Sequence, residues 1–248
     1  MDIIAERKTK TVYKDGDAVV KLFVKDYSKA NILNEALNQA RVEENTKLNI
    51  PRLLEVKKFA SRWALTTEYV EGKTLDALMK ESPEKEDEYL EMFVKLQLEV
   101  LRNQVLLLSR IKDKFKRKLN ETKIIDDNIK YELLQRLEGM KNHTKLCHGD
   151  FNPSNIIVKP NGECYIIDWS HATAGNASAD AARTFLIFSM QKQEKMAAKY
   201  LEMFSKQSGI DKSNIQRWIP IVAATQLTKE NPDEEEILRS WIDIVDFE

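Results

Sequence analysis

Glycine is scarce in this chain. Its 248 residues hold seven, at 16, 72, 139, 149, 162, 175 and 209, and no two stand closer than ten positions. A G-x-G-x-x-G dinucleotide fingerprint, a G-x-x-x-x-G-K-[ST] phosphate loop and the glycine-rich loop of protein kinases all need tighter spacing, so all three are excluded. Cysteine is scarcer still. Cys147 and Cys164 are too few for a disulfide framework and form no C-x-x-C pair, which fits a reducing cytoplasm. His143, Cys147 and His148 match no common zinc spacing and lack an evident fourth ligand. No uncharged apolar run reaches the roughly 18 residues of a membrane span, and Met1-Asp2-Ile3-Ile4-Ala5-Glu6 has no basic segment leading into an apolar one. Neither secretion nor a membrane partner is expected. A surplus of one charge is also missing: 39 Lys plus Arg oppose 40 Asp plus Glu. Such a chain has no overall field for holding nucleic acid or an anionic membrane.

What is present is a soluble globular composition, 42% hydrophobic and 32% charged, long enough for one good core or two unequal lobes. The first 70 residues read as strands around one helix, and the rest is mostly helical. Val12-Tyr13 and Ala18 to Val24 flank the turn Asp15-Gly16-Asp17 as a hairpin. Ser28 can cap a helix carrying Ile32, Leu33, Ala36, Leu37 and Ala40 at helical spacing. Arg52 to Lys58 and Trp63 to Val70 read as further strands, and Thr74 as the cap of a short helix. Helical patterns then cover Glu84 to Ile111, with Leu107 on or near its buried stripe, Asp127 to Lys141, Ser178 to Ser208, Ser213 to Lys229 and Asp233 to Val245. The charged run Lys112 to Lys118 reads as a solvated helix face or turn rather than as a binding patch.

One stretch carries chemistry, from Leu146-Cys147-His148-Gly149-Asp150 through Asn155 to Ile166-Ile167-Asp168-Trp169. Ile156 to Lys159 and Glu163 to Ile167 are β-rich runs joined by Asn161-Gly162, the pair that best suits a two-residue type I′ turn. With that turn, Asn155 sits opposite Asp168, and facing residues project from one side of a hairpin. Asp150 lies on the loop that enters it. Three oxygen-bearing side chains at one open end suit Mg²⁺, which takes few protein ligands and fills its shell with water and phosphate oxygens. Phosphate chemistry follows.

His148-Gly149-Asp150-x4-Asn155 followed by Ile166-Ile167-Asp168-Trp169 resembles the aminoglycoside phosphotransferase and choline kinase group of the protein-kinase-like fold. The resemblance implies an α+β, bilobal chain: residues 1–71 as a small nucleotide-binding lobe of sheet plus one helix, and 72–248 as a larger helical lobe with the catalytic loop and metal-binding hairpin. It implies that Asp150 orients or deprotonates an acceptor hydroxyl, and that Asn155 and Asp168 hold Mg²⁺ on ATP. Ala18-Val19-Val20-Lys21-Leu22-Phe23 is similar to the strand whose lysine contacts the phosphates, with Glu35 as its ion-pair partner; Glu43 and Glu44 are competing carboxylates on the same helix. Thr66 to Gly72 resembles the hinge that binds adenine, around Glu68 and Val70. Gly175 to Arg183 is similar to the group's G-D-P-x-x-D-L-A-R segment, with Asp180 as an anchor for the catalytic loop.

Where the group often carries a glycine-containing turn, this chain has Glu6 to Tyr13. Backbone amides and the Thr9 hydroxyl can cap phosphates there, with Lys8 and Lys10 supplying charge. The expected activity is an ATP- and Mg²⁺-dependent kinase with an alcohol group on a small molecule as acceptor. A protein kinase and a non-catalytic nucleotide-binding module are the alternatives. The first is opposed by the lack of an A-P-E-like end after Asp168, and the second by the complete set of Lys21, Asp150, Asn155 and Asp168.

Overall fold

The computed structural model describes residues 2–242. Strands β1 (Asp2–Arg7), β2 (Lys10–Asp15) and β3 (Ala18–Phe23) precede helix α1 (Lys29–Asn45); β4 (Leu53–Phe59), β5 (Arg62–Glu68) and β6 (Lys73–Thr74) follow it. Helices α2 (Leu75–Glu81), α3 (Glu86–Arg102), α4 (Ile111–Glu121) and α5 (Asp127–Gly139) lead to the short strands β7 (Lys145–Cys147), β8 (Ile156–Val158), β9 (Cys164–Ile166) and β10 (Thr173–Gly175). Then come α6 (Ala177–Met190), α7 (Glu194–Ser208), α8 (Lys212–Gln216), α9 (Ile219–Leu227) and α10 (Pro232–Ile242). The class is α+β, as expected. These elements form two compact units. One runs from the first described residue to Lys85 and takes in Pro153–His171; the other holds Glu86–Asn152 and the described chain from Ala172 onward. Compactness thus groups the β8–β9 hairpin with the sheet unit, because Lys73 and Thr74 pair with Val158 and Ile157 and the Asn49 carbonyl accepts from the Ile166 N–H at 3.0 Å.

In the sheet unit the strand order is β1-β2-β3-β5-β4, antiparallel throughout. Strand β1 goes beyond the sequence expectation; Ile3 and Ile4 on it are 58% and 51% exposed, so it shows no alternation of buried and polar residues. The Ser28 hydroxyl accepts from the Asn31 N–H at 3.4 Å and starts α1. Ile32 and Ala36 of α1 pack on Phe23 and Leu65, while Leu33 and Leu37, counted in the expected apolar stripe, face outward. Thr74 caps α2 by accepting from the Ala77 N–H at 3.2 Å.

In the helical unit Phe93 of α3 is the centre of an aromatic core, with ring centroids 4.8, 5.8 and 5.9 Å from those of Phe151, Phe188 and Tyr200. Helix α3 ends at Arg102 rather than running to Ile111, and Leu106 and Leu107 are 83% and 69% exposed. No Gly or Pro announces that break. The Asn103 carbonyl instead accepts from the Leu146 N–H at 2.8 Å, tying the chain to β7. The expected helix from Ser178 breaks at Lys192, whose φ is 58°, and that from Ser213 breaks before Pro220, which is tolerated only in the first turn of α9. Of the expected helix Asp233 to Val245, residues 243–245 lie outside the described residues. Among the described residues no helix is long and apolar enough to cross a membrane.

Gly72 ties the hairpin to the sheet unit, since a Cβ there would run into the Val158 carbonyl and approach Ile157 Cγ2 to 2.9 Å. Backbone cannot yield as a side-chain tip can. Gly72→Ala is therefore expected to destabilise the chain by about 1–3 kcal/mol, the usual range for overpacking. Urea unfolding checks this, and an unchanged midpoint would show that β6 and β8 can part without loss.

Candidate active site

The sheet unit gathers four charges. In the β2–β3 ladder Lys10 faces Phe23 and Val12 faces Lys21, so Lys10 and Lys21 are diagonal neighbours on one side of the sheet. Lys21 Nζ donates to Glu35 Oε1 at 2.7 Å, and Lys10 Nζ lies 3.8 Å from the same oxygen. Both lysines also reach Asp168, Lys21 at 3.4 Å from Oδ1 and Lys10 at 3.3 Å from Oδ2. Glu35 is thus the α1 carboxylate that meets Lys21; Glu43 is engaged elsewhere, accepting from the Leu53 N–H at 2.9 Å, and Glu44 is exposed. Burial alone would lower the Lys21 pKa, but the Asp168 and Glu35 carboxylates outweigh it and hold it above the ordinary lysine value. Burial likewise would raise Asp168, and Lys21 and Lys10 hold it far below the usual carboxylate range. Both groups are charged at neutral pH.

Asp168 has a left-handed backbone, φ 63°, a conformation that a non-glycine residue keeps only when its surroundings impose it. They do so through Trp169, fully buried, whose Nε1 donates to the Ile166 carbonyl at 3.1 Å, and through Asn38 of α1, which donates to the Ser170 carbonyl at 3.3 Å. The hairpin register corrects the sequence reading by one residue. Ile156 faces Ile166 and Val158 faces Cys164, the Gly162 N–H bonds back to the Lys159 carbonyl at 2.9 Å, and Gly162 has φ 86°. The loop is Pro160-Asn161-Gly162, a turn closed by a left-handed glycine, not the two-residue Asn161-Gly162 turn. Asn155 therefore lies opposite Ile167, accepting its N–H at 2.9 Å. A slip of one would ordinarily turn Asp168 to the other face. Here β9 has already ended at Ile166, so the left-handed backbone sets its direction. Among the described residues the buried Asp168 Oδ1 meets only the Lys21 ammonium, 3.4 Å away, which leaves it a hard oxygen ligand at the end of the hairpin whose other strand is entered at the buried Asn155. That donor set fits Mg²⁺.

The remaining nucleotide candidates divide. Lys8 and Thr9 form the exposed turn between β1 and β2, so most of the stretch read as a loop is strand. The Glu68 side chain pairs with Arg52, and its N–H donates to the Arg52 carbonyl at 3.0 Å. Tyr69 donates to the Asp17 carbonyl at 2.9 Å, and the chain leaves the ladder at Val70.

The helical unit holds Asp150. Its Oδ1 accepts from Arg183 Nη2 at 3.1 Å, its Oδ2 lies 3.4 Å from Asn152 Nδ2, and its N–H donates to His148 Nδ1 at 3.3 Å. His148 is fully buried, edge-on to Phe151 at 5.7 Å, in a bracing position. Asp180 accepts from the Gly149 N–H at 2.7 Å and from Gln97 Nε2 at 3.1 Å; burial raises its pKa and these donors oppose the rise. Gln97 also donates to Thr184 Oγ1 at 3.1 Å and accepts from the Tyr200 hydroxyl at 2.7 Å. Thr184 in turn donates to the Phe151 carbonyl at 2.9 Å. Gln97 and Arg183 were not assigned roles from sequence, although a glutamine four residues after Phe93 and four before Leu101, both buried, is a polar intruder on an apolar stripe. Cys147 is buried and His143 exposed, and among the described residues no three His, Cys, Asp or Glu side chains gather to hold a metal.

The run Lys112 to Lys118 also departs from expectation. Lys116 and Arg117 are exposed, but Lys114 and Lys118 turn inward on α4 and are only half exposed, with Lys118 Nζ donating to the Thr225 carbonyl on α9 at 3.3 Å. Burial, then Lys118, Lys229, Arg117 and Arg183, lowers the Lys114 pKa to about 7. Burial and Lys229, Arg183 and Arg117 lower Lys118 to about 8.

This fold is that of the aminoglycoside phosphotransferases, a kinase-like architecture. A thermostable mutant of aminoglycoside phosphotransferase APH(4)-Ia, in ternary complex with ADP and hygromycin B, matches with a TM-score of 0.72 at 15% identity, over 97% of this chain and 91% of that one. Aminoglycoside-3'-phosphotransferase of type VIII matches at 0.65 and 14%, over 90% and 91%. ADP-bound aminoglycoside phosphotransferase APH(2'')-Ib matches at 0.62 and 18%, over 98% and 91%. No curated protein sequence matches. The sequence fits the profile of the phosphotransferase enzyme family over residues 5–216, and the chain belongs to that family.

The two inward lysines have a pH signature. Their folded pKa values lie below the unfolded value of about 10.4, so from about pH 7 upward the unfolded chain binds more protons and stability rises with pH. Urea unfolding is expected to show the parent gaining stability relative to Lys114→Gln/Lys118→Gln between about pH 7 and 8.5. Parallel curves for the two proteins would place both ammonium groups in ordinary solvent.

Proposed function

We propose that this phosphotransferase moves the γ-phosphoryl group of ATP onto a hydroxyl of a small molecule in the cytoplasm. The observation that carries the reading is the Lys21–Glu35 ion pair at 2.7 Å, held beside an Asp168 carboxylate that a left-handed backbone presents to both Lys21 and Lys10. Lys21, positioned by Glu35, binds the phosphates as a fixed positive charge. Asn155 and Asp168 would hold Mg²⁺, which would supply positive charge to offset the negative charge that develops on the transferring phosphoryl group. Val70 and the Glu68 backbone form the adenine edge, within a nucleotide-binding lobe of residues 1–71 that works with the helical lobe of residues 72–248. Asp150 accepts the proton of the acceptor hydroxyl as its oxygen bonds to the γ-phosphorus and the β–γ bridging bond breaks, releasing ADP. Arg183 and Asn152 keep that carboxylate aimed. Lys10 adds a second charge near the phosphates, which compensates for the missing glycine loop.

Asp150→Asn is expected to retain Mg-ATP affinity and lower turnover by about 10²–10⁴, the range for losing an acid–base group. Coupled-assay turnover against a hydroxyl-compound panel, with calorimetry for nucleotide binding, separates the effects; near-parental turnover would remove Asp150 from the chemistry. Lys10→Ala is expected to weaken Mg-ATP binding about tenfold at low salt, and Lys8→Ala hardly at all, because only Lys10 reaches the charge cluster. Equal losses in the two variants would mean that the β1–β2 turn folds over the phosphates.

A further inference from the structure

A cavity of about 120 Å³ opens at the start of α4, inside the helical unit. Four basic side chains line it, those of Arg110, Lys112, Lys141 and His143, and among the described residues no carboxylate does. None of the residues assigned above to the nucleotide or to proton transfer borders it. Short bonds bring its walls together. Lys112 Nζ donates to the Glu138 and Met140 carbonyls at 3.1 and 2.7 Å, which sets the end of α5, and with it Lys141, against the first turn of α4. The Ala174 N–H donates to the Ser109 carbonyl at 3.0 Å, which lays β10 beside Arg110. Gly175 faces Lys145 in the β7–β10 ladder, and the chain just before that pair, His143 and Thr144, lines the same cavity. A Cβ at Gly175 would overlap Ile111, so glycine is what lets α4 come this close.

The cations here have no counter-charge among the described residues. The Arg110, Lys141 and His143 side chains make no hydrogen bond or ion pair, and Lys112 spends two of its three N–H groups on the carbonyls named above. The adjacent acids in sequence, Asp113 and Glu138, are exposed and pair with none of them. Arg110 also holds the cap position of α4, where Ser, Thr, Asp or Asn would supply an oxygen to the first turn; it has no acceptor to offer and makes no cap bond. The positive end of the helix adds to the charge of the cavity it borders. Several separate donors around one space suit an oxyanion whose oxygens each accept from a different group. The volume lies well below the roughly 300 Å³ at which pockets begin to enclose a drug-sized molecule, so the ligand is one compact group.

We propose that this cavity binds a phosphate group, as inorganic phosphate or as the monoester end of a larger molecule whose remainder stays outside. The site goes beyond the function proposed above and does not rest on it. A phosphate seated there would join α4, the segment before β7 and Asn176, the cap of α6; β7 runs into the Asp150 loop, and α6 carries its Asp180 anchor. Two sources offer the same chemistry, a soluble ester and a lipid headgroup. Leu106 and Leu107, exposed a few residues before Arg110, are what bring the lipid into question.

The test titrates the full chain with inorganic phosphate and with glycerol 3-phosphate by calorimetry, at fixed ionic strength and without nucleotide. The parent is expected to bind both, and Arg110→Gln/Lys141→Gln at least tenfold more weakly. Both replaced side chains are exposed and unbonded, so the fold does not depend on them. Lys21→Ala is expected to match the parent. Sedimentation with phosphatidic acid vesicles separates the sources. Capture of the parent that is lost in Arg110→Gln/Lys141→Gln and in Leu106→Ser/Leu107→Ser assigns the phosphate to a lipid, and binding of glycerol 3-phosphate without capture assigns it to a soluble ester. A parent that binds neither the soluble phosphates nor the vesicles overturns the proposal. So does binding unchanged in Arg110→Gln/Lys141→Gln, and so does binding lost in Lys21→Ala, which would place the phosphate beside Lys21 instead.

Discussion

The sheet unit is organised around one unfavourable act, the partial withdrawal of the Asp168 carboxylate from water, which buries Oδ1 and leaves the side chain 25% exposed. An ionised carboxylate in such a place is sustained only by opposite charge at close range, and the two lysines that supply it come from adjacent strands whose register brings them diagonally together. Glu35 then keeps the count of charges balanced. The left-handed φ of Asp168, the seat of Trp169 and the bond from Asn38 to Ser170 all serve to present that carboxylate from an end of a strand rather than from its pleat. With opposed charges already in place, the site is preorganised for the proposed function, in which the lysines that grip Asp168 would turn to phosphate oxygens and free that carboxylate for a cation.

The helical unit solves a different problem, chiefly with hydrogen bonds rather than ion pairs. The backbone around Gly149 must be fixed while the Asp150 carboxylate stays usable, so Asp180 accepts from the Gly149 N–H and Thr184 donates to the Phe151 carbonyl, with Gln97 joining those two side chains and Tyr200 closing the network. Each member spends its hydrogen bonds on another member, and such networks hold a geometry well only when complete. Arg183 is the exception, since Nη2 grips Asp150 while the buried Nη1 meets no acceptor among the described residues.

Much of this could be read from sequence because it depends on local chemistry. The turn at Gly16 sets the β2–β3 register and so the neighbourhood of Lys21, and Ser28 and Thr74 cap the helices they precede. The Asn155–Asp168 relation was read one residue out of register, because Asn161-Gly162 suits two loop lengths and only the bond from Gly162 to Lys159 decides between them. The end of α3 carries no breaker; tertiary pairing of Asn103 with Leu146 stops it. Nor could periodicity separate Lys114 and Lys118 from the solvated lysines around them, since burial of a charged side chain depends on which helix packs opposite.

Lys10 shows how a missing motif can be replaced by a different physics. A glycine loop holds phosphate with amide dipoles brought close by a backbone free of side chains, and the β1–β2 turn of this chain, with Lys8 and Thr9 at its tip, has no such freedom. Charge acts over a longer distance than a dipole and needs no close approach. A single ammonium on the strand after the turn is anchored on Asp168 at 3.3 Å and flanked by Phe23, with its Nζ 5.7 Å from the ring centroid. On the proposed function the exchange has a consequence that a dipole loop lacks: the attraction would be screened by salt, tying nucleotide affinity to ionic strength through one residue whose ammonium is anchored on the same Asp168 carboxylate that Lys21 meets.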